Sequence, residues 1–373
     1  MDRKNKVVHL TTVHPPFDTR IFHKEAKTLV RAGYDVTLIA QHEKDVVVDG
    51  VKIIALPKPR NRLSRMFGLT WRACCLALRQ RADICHLHDP ELIPMGLLLR
   101  LVGKRVIYDV HEDVPKQVLS KEWIPGLLRR LVAVGARLAD AVAGSVLNAV
   151  VAATPQIARR FPATKTVVVQ NFPILDELLP PDPMPYTSRP LKVAYVGGIT
   201  VIRGIREMVQ AMALLPNTPN AKLVLAGTFT PPALEEEVRR LPGWERVEFM
   251  GWQDRSGVAR VLGQVRAGLA VLQPTRNYVE GWPVKLFEYM SAGLPVVASD
   301  FPLWKEIVEG NECGITVNPL DPKEIAQAIE YLLTHPEEAQ EMGQNGRQAV
   351  LEKYNWEREA AKLLKLYEEL LSR

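Results

Sequence analysis

Two glutamates, Glu280 and Glu288, lie eight positions apart in the segment EGWPVKLFEYMSAGLPVVASD, with Lys285 between them. Pro283 suits the first turn of a helix, because the N–H that proline lacks is not needed there. The N-terminus of such a helix carries free N–H groups and a partial positive charge, which favour a phosphate, and Lys285 adds a cation. A carboxylate at Glu288 can accept hydrogen bonds from the paired hydroxyls of a ribose. The segment therefore indicates a nucleotide site.

The other residues of this segment refine that interpretation. Gly281 would let the backbone approach a ligand closely, and Glu280 would meet sugar hydroxyls at the other end of the ligand. Two glutamates at this spacing are also common on solvated helices. Their combination with Gly281, Lys285 and the run AGLPVVASD is more specific.

A second candidate phosphate site lies in VAYVGGITVIRG, residues 193–204. This is a strand, a glycine-rich turn and the start of a helix. Gly197 and Gly198 permit close approach to a ligand, and Arg203 supplies charge. The same pattern is also that of an ordinary strand–helix turn.

Strand and helix signals alternate along the whole chain. In the first half we predict strands at 6–12, 35–40, 51–57, 82–88, 105–112 and 166–171, with helices that include 63–80 and 147–160. In the second half we predict strands at 192–198, 222–227, 246–251, 267–275 and 295–300, with helices over most of 321–373. Such alternation predicts an α/β protein whose parallel sheets have helices on both faces and bind ligands at the carboxyl ends of their strands.

The segment 173–190 contains six prolines and little periodicity, so we predict a linker there. The expected division is a domain at 1–172, a second domain at 191–355, and a C-terminal helix at 356–373 that packs back on the first domain. Two Rossmann-like, doubly wound domains would then face each other across a cleft.

The composition limits the class of protein. At 47% hydrophobic and 24% charged residues, the chain is typical of a soluble globular protein, and no apolar run approaches the roughly 20 residues of a membrane span. Its four cysteines show no metal-binding spacing, which favours reduced, buried thiols in the cytosol. Residues 1–188 hold 27 Lys and Arg against 18 Asp and Glu, or +9, whereas the remainder holds 21 against 24, or −3. The basic half predicts an anionic partner.

At this point the chain resembles the family-four retaining glycosyltransferases of the GT-B fold. The resemblance is carried by the two glutamates, by SAGLPVVASD and YVGGITVIRG, and by QNF at 170–172. HPPFDTRIFHKEAKTLVRAGYDVTL, HLHDPEL and IYDVHED resemble a bacterial subgroup that builds cell-surface polysaccharide. The resemblance covers nearly the whole chain.

The resemblance to this family implies roles for individual residues. Glu280 would contact the donor sugar, Glu288 the nucleotide ribose, and Arg203 the diphosphate. His111, at the end of a strand, would lie over the sugar, although a capping or core histidine is the alternative. Trp282 and Leu286 would complete the donor site. His86 and His88 are interpreted as packing or supporting groups.

The chain departs from the family pattern in two places. Gly197-Gly198 stands where the family often has Gly-Arg, and Lys285, where many members have proline, would restore the missing charge. A loop containing Asp18 and Arg20 replaces the usual glycine pair. These two residues would face the acceptor or donor sugar, or would pair with each other to brace the loop.

Two basic stretches, residues 58–81 and 121–137, interleave arginines with large apolar side chains. Basic amphipathic helices favour anionic membrane surfaces, although solvated arginines on core-facing helices would show the same pattern. The candidate membrane contacts are Arg62, Arg65, Phe67, Trp71, Arg72 and Trp123. Because no nucleic-acid-binding motif is present, we expect no nucleic acid partner.

The resemblance implies transfer of a hexose from a nucleoside-diphosphate sugar to a hydroxyl acceptor, with retention at the anomeric carbon. The acceptor would be a lipid-linked or growing cell-surface glycan, and the protein would be cytoplasmic, at the inner face of the membrane. No cofactor or metal is expected. A sugar-nucleotide epimerase of the same fold and a catalytically silent donor-binding subunit remain as alternatives.

Overall fold

The computed structural model describes residues 4–119, 125–180, 182 and 184–372. The chain divides into two compact units, of which the first holds residues 1–171 and 356–373 and the second holds 172–355. The C-terminal helix, Trp356–Ser372, therefore belongs to the first unit. It is fixed there by Trp356, whose Nε1 donates a hydrogen bond to Thr28 Oγ1 at 2.9 Å. No helix within the described ranges is long and apolar enough to cross a membrane.

The first unit is built on an eight-stranded sheet. Its strands are β1 (Lys6–Leu10), β2 (Asp35–Gln41), β3 (Val46–Val48), β4 (Val51–Leu56), β5 (Ile84–Leu87), β6 (Arg105–Val110), β7 (Ala149–Ala152) and β8 (Thr166–Val168). Their spatial order is β3-β4-β2-β1-β5-β6-β7-β8, and every pairing except that of β3 with β4 is parallel. The α/β class predicted from the alternating pattern is confirmed.

Helices connect these strands. They are a π-helix at Thr19–Ala26 that continues as α1 (Lys27–Arg31), a π-helix at Ser64–Leu69 that continues as α2 (Thr70–Arg79), α3 (Ile93–Leu101), α4 (Val114–Leu119), α5 (Gly126–Val146) and α6 (Pro155–Ala158). The helix predicted over 147–160 is wrong, because α5 ends at Val146 and residues 149–152 form β7. The β-branched pair Val150-Val151 completes a fully buried strand between β6 and β8.

The strand order determines which loops of the first unit lie together. From β1 the chain proceeds to β2 on one side, whereas β5 and β6 lie on the other. In a parallel sheet such a reversal opens a crevice at the carboxyl ends of the strands. The residues that follow these three strands, Thr11, His88 and His111, are therefore neighbours at one edge of the sheet.

The second unit has a six-stranded parallel sheet. Its strands are β9 (Lys192–Val196), β10 (Lys222–Ala226), β11 (Val247–Gly251), β12 (Ala267–Ala270), β13 (Val296–Ser299) and β14 (Gly314–Val317). Its helices are α7 (Ile205–Met212), α8 (Leu234–Val238), α9 (Arg255–Leu262), α10 (Arg276–Val279), α11 (Val284–Ser291), α12 (Pro302–Gly310), α13 (Pro322–Thr334) and α14 (Pro336–Glu352). The order β11-β10-β9-β12-β13-β14 reverses between β9 and β12, so the turn after β9 lies beside the segment after β12.

The predicted linker at 173–190 is instead part of the second unit. Leu178 and Tyr186 are buried in the hydrophobic core of that unit, together with Phe172, the residue before the segment. Tyr186 also donates a hydrogen bond from its hydroxyl to the carbonyl of Arg266 at 2.6 Å. Apolar side chains of this proline-rich segment therefore pack onto the domain.

Candidate functional site

In the second unit two cations lie under the glycine turn that follows β9. A Cβ added to Gly197 would lie 2.0 Å from Lys285 Nζ, and one added to Gly198 would lie 2.8 Å from Arg203 Nη1. Gly197 has a φ of 122°, a conformation that residues with a Cβ rarely adopt. The glycine turn is therefore required for Lys285 and Arg203 to reach this place, and the structure brings together all four residues that the sequence suggested.

Arg203 is held in position by two oxygens. Its Nη1 donates a hydrogen bond to the Gly198 carbonyl at 3.0 Å, and its Nε donates to the Tyr278 hydroxyl at 3.4 Å. These contacts hold the guanidinium against the turn, and none of the described carboxylates pairs with it. A fixed cation of this kind suits an anionic ligand.

Lys285 is the second residue of α11 and is partly buried, with its ammonium group in desolvated surroundings. Burial lowers the pKa of this lysine from its usual value to about 8, although nearby Glu288 acts in the opposite direction. Its Nζ lies 5.3 Å from the centre of the Tyr195 ring, which adds a cation–π contact. A buried lysine whose charge is incompletely compensated gains from an anion placed against it.

Glu288 is held by an arginine that the sequence did not suggest. Arg255, the first residue of α9, donates from Nη1 to Glu288 Oε1 at 2.7 Å and from Nη2 to Glu177. Burial opposes the charge of this arginine, but the two carboxylates raise its pKa above the ordinary value. The fixed Glu288 carboxylate is suited to paired hydroxyls. The only signal for Arg255 in the sequence is its place at a helix start after Asp254, which is too common to single it out.

The loop before α11 holds three residues of the predicted donor site, Glu280, Gly281 and Trp282. Gly281 is needed for a local reason, because a Cβ there would lie 2.4 Å from the carbonyl oxygen of Asn277 in α10. Glu280 is half-exposed, with its Oε1 at 3.4 Å from Arg276 Nε. Trp282 packs against Phe172 and Phe287 with ring centres 5.9 and 6.0 Å apart.

The side chain of Leu286 is not placed to contact a donor, so any part of this residue in the donor site would fall to its backbone. Leu286 is fully buried in the core, on the face of α11 that packs against the sheet. Helical periodicity explains this position, because residues three apart on α11 share a face, and Leu286 lies with Tyr289 toward the core.

In the first unit the strand ends converge on a buried polar cluster. Arg20 lies within it, 4% exposed, and binds Asp109 through Nε at 3.1 Å and Nη2 at 3.0 Å. Its Nε is also 3.0 Å from Glu25 Oε1. In a π-helix, hydrogen bonds join residues five apart, which brings positions 20 and 25 onto one face.

The prediction that Arg20 faces a sugar and the prediction that it pairs with Asp18 are both wrong, whereas a sugar contact of Asp18 stays a prediction. Arg20 is too deeply buried to meet a sugar, and its partners are Asp109 and Glu25 rather than the Asp18 carboxylate. Asp18 caps the π-helix instead, because its Oδ1 accepts from the backbone N–H groups of Arg20 and Ile21 at 2.8 and 2.9 Å. Asp18 Oδ2 also lies 3.7 Å from His14 Nδ1, and this contact raises the pKa of His14.

His111 is oriented by the aspartate two residues before it. Its Nε2 lies 2.9 Å from Asp109 Oδ2 and 3.2 Å from His88 Nδ1, while 13% of its side chain remains exposed. Burial opposes the charge of Asp109, but the Arg20 guanidinium holds the pKa of this carboxyl well below its usual range. The His14 ring lies 5.1 Å from that of His111. A charged aspartate thus fixes a histidine at the edge where ligands bind in such sheets.

The candidate membrane contacts lie on α2 and before it, with one exception. Phe67 and Trp71 are 70% and 57% exposed. Arg62 and Arg72 are also exposed, whereas Arg65 is paired with Glu91 at 2.9 Å. Trp123 lies outside the described residues.

A larger apolar surface lies on α5, whose first half falls within the basic stretch 121–137. Seven of its apolar side chains are between 44% and 62% exposed: Leu128, Leu131, Val132, Val134, Leu138, Val142 and Val146. The neighbouring helix α3 adds Leu98 and, just beyond its end, Val102, while Leu101 is 81% exposed. Exposed apolar residues in this number are unusual on a monomeric protein and indicate an interaction surface.

Two family profiles match the chain and together span most of it. The profile described as Glycosyl transferase 4-like domain matches residues 19–171, and that described as Glycosyl transferases group 1 matches residues 186–349. Together with the two parallel-sheet units, these matches define the class of protein. The chain belongs to the glycosyltransferases of the GT-B fold, of the family-four type, whose donors are nucleotide sugars.

Individual proteins agree with this assignment. A phosphatidyl-myo-inositol mannosyltransferase of Mycobacterium leprae is 24% identical over 77% of this chain and 73% of its own. Sucrose-phosphate synthase of Thermosynechococcus elongatus shares the fold, with a TM-score of 0.76 at 22% identity, over 99% of this chain and 100% of that one. HepE of Anabaena, solved in complex with UDP-glucose, aligns with a TM-score of 0.71 at 16% identity, over 99% and 100% of the two chains.

Proposed function

We propose that this glycosyltransferase moves a hexose from a nucleoside-diphosphate sugar to a hydroxyl of a lipid-linked or growing cell-surface glycan, with retention at the anomeric carbon. Binding of the nucleoside-diphosphate donor is supported by the pair of cations, Lys285 and Arg203, under the Gly197-Gly198 turn. The ribose is bound by Glu288, which Arg255 holds in place.

The reaction releases a nucleoside diphosphate, so negative charge grows on the distal phosphate. In the proposed mechanism Arg203, Lys285 and the N-terminus of α11 stabilise that charge as preorganised groups, and no metal is needed at the diphosphate. The turn holds both cations in place before a ligand arrives. His111 and Glu280 take the roles in sugar binding that the family resemblance implies.

A nucleotide-sugar panel tests the donor and the reaction. Each nucleotide sugar is incubated with the protein, with and without a bacterial membrane extract, and the products are identified by mass spectrometry and by the anomeric coupling in NMR. We expect release of nucleoside diphosphate that depends on the extract, with an α-linked product from an α-linked donor. An inverted product or a changed nucleotide sugar without acceptor would contradict the proposal.

A matched pair of variants ties the activity to the site. Lys285→Met removes the buried cation, whereas Lys305→Met removes a lysine that is 54% exposed on α12. We expect transfer to fall strongly in the first variant and to be unchanged in the second.

We further propose that the protein works at an anionic membrane surface, held there by α5, α3 and the region of Phe67 and Trp71. The exposed leucines and valines of α5 support this, because an apolar helical face can enter the acyl boundary of a bilayer. Arg130 and Arg137 lie exposed on the same helix, and each cation near an anionic surface contributes about 1 kcal/mol. The relative from Mycobacterium leprae, named for a phospholipid, agrees with a lipid acceptor.

Vesicle flotation tests this part separately. Binding should rise with the fraction of anionic lipid and fall with added salt, because the attraction is screened. Leu131→Ser with Leu138→Ser should weaken binding while leaving transfer to a soluble acceptor intact. A matched control, Leu320→Ser, removes a leucine that is 53% exposed in the second unit. No flotation on strongly anionic vesicles at low salt would refute the membrane proposal without touching the donor site.

A further inference from the structure

Four side chains of the first unit form a compact, fully buried group with the composition of a metal site. This buried histidine cluster consists of His9, Glu25, His86 and His88. Each can offer one nitrogen or oxygen atom, and these atoms lie within 4.8 Å of one another. Three imidazoles and a carboxylate are ligands typical of zinc and related divalent ions.

The distances within the cluster are close to those of a metal site. His9 Nδ1 lies 2.8 Å from His88 Nε2, and each of these atoms lies 4.0 Å from Glu25 Oε2. A triangle with sides of 2.8, 4.0 and 4.0 Å has a centre about 2.1 Å from every corner. Zinc binds nitrogen at about 2.0–2.1 Å and carboxylate oxygen at about 2.0–2.2 Å. An ion near this centre would reach three ligands in tetrahedral geometry once the His9 and His88 nitrogens separate by about half an ångström.

Unpartnered atoms give an independent indication of a ligand. His86 Nε2 and Glu25 Oε2 are buried and have no hydrogen-bond partner among the described residues. His86 Nδ1 lies 2.7 Å from the Tyr367 hydroxyl, which fixes the orientation of the ring. Ligating histidines usually have such a partner on the ring nitrogen that faces away from the metal.

The neighbouring charges leave one carboxyl oxygen for a cation at this place. Asp109 lies beside the cluster but is paired with Arg20 through two hydrogen bonds. Arg20 also contacts Glu25 at Oε1, which leaves Oε2 directed toward the imidazoles. A buried carboxylate oxygen facing apolar or neutral groups is costly, and a bound cation removes that cost.

We propose that the buried histidine cluster binds one divalent transition-metal ion, with zinc as the best fit. The ion would be structural, because every ligand is buried, and it would lie behind the edge that carries His111. His88 contacts both sides, with Nε2 toward the cluster and Nδ1 at 3.2 Å from His111 Nε2. This inference does not depend on the proposed donor or acceptor, and it places no metal at the diphosphate.

Metal content is measured on the full-length protein after tag removal and dialysis against metal-free buffer. Mass spectrometry of the elements should find about one zinc or similar ion per chain. His86→Ala and Glu25→Gln should lose it, whereas His335→Ala, which removes an exposed histidine of the second unit, should retain it. Tyr367→Phe keeps all four ligands and should lower metal affinity by about 10–100-fold through the loss of the supporting hydrogen bond.

A cobalt titration keeps the test decisive where a cluster variant fails to fold. Wild-type protein is stripped with a chelator, shown by circular dichroism to remain folded, and titrated with Co²⁺. The visible absorption bands of four-coordinate cobalt should appear and saturate at one equivalent. No metal in the purified protein together with no cobalt bands would overturn the proposal and leave His9 and His88 as a hydrogen-bonded pair.

Discussion

Lys285 makes nucleoside-diphosphate binding depend on pH. Burial lowers its pKa to about 8 in the free protein, so it loses its proton between pH 7 and 9. A phosphate placed against Nζ favours the charged form and should return the pKa toward its usual value of 10.5. Binding above pH 8 must then take up a proton, and affinity must fall as pH rises through this window.

The size of the effect follows from these two pKa values. At pH 7 nearly all free molecules carry the proton, whereas at pH 9 about one in eleven does. If the bound form stays protonated, the dissociation constant rises by about tenfold between pH 7 and 9, which corresponds to about 1.4 kcal/mol. At pH 9 binding should take up about 0.9 proton per ligand.

Isothermal titration calorimetry in buffers of different ionisation enthalpy measures both the affinity and the proton uptake. The ligand is the nucleoside diphosphate that binds most tightly in the panel. Lys285→Met should bind more weakly at pH 7 and lose the uptake at pH 9, whereas Lys305→Met should match the wild type. An affinity that changes less than twofold between pH 7 and 9, or an unchanged pH dependence in Lys285→Met, would refute the reasoning.

Three further predictions concern the same unit. Glu288→Ala should weaken binding of free nucleoside diphosphate by about 1.5–3 kcal/mol, because a charged hydrogen-bond acceptor for the ribose is lost. Equal affinity of the variant and the wild type in a titration would rule out a ribose contact for Glu288. Gly197→Ala should abolish tight binding of the nucleoside diphosphate, because the added Cβ would lie 2.0 Å from Lys285 Nζ. Gly251→Ala is the control: Gly251 also has a positive φ, but its added Cβ would meet nothing within 4 Å, so this variant should only lower stability. The two variants are compared by titration and thermal melting. Arg203→Ala should lower turnover more than it lowers affinity for a nucleoside monophosphate, because its charge meets the distal phosphate; equal losses in kinetics and titration would contradict this.

Much of the fold and part of the site follow from local sequence. The alternation of buried strands with amphipathic helices is enough to predict parallel sheets, because backbone periodicity and burial are set by near neighbours. Gly197-Gly198 and the segment from Glu280 to Glu288 were identifiable for the same reason, since each combines a turn with a helix start. Even so, residues 149–152 were assigned to the wrong element, because a short apolar run fits either a strand or a buried helix.

What only the tertiary structure decided is the pairing of side chains that are distant in sequence. Arg20 meets Asp109 because β1 and β6 flank β5 in the sheet, an order that no local pattern contains. Arg255 reaches Glu288 because α9 and α11 begin at the same end of the second sheet. The depth of Lys285, and hence its lowered pKa, depends on the same packing. The sequence therefore determines which residues stand at strand ends and helix starts, while the order of the strands determines which of them meet.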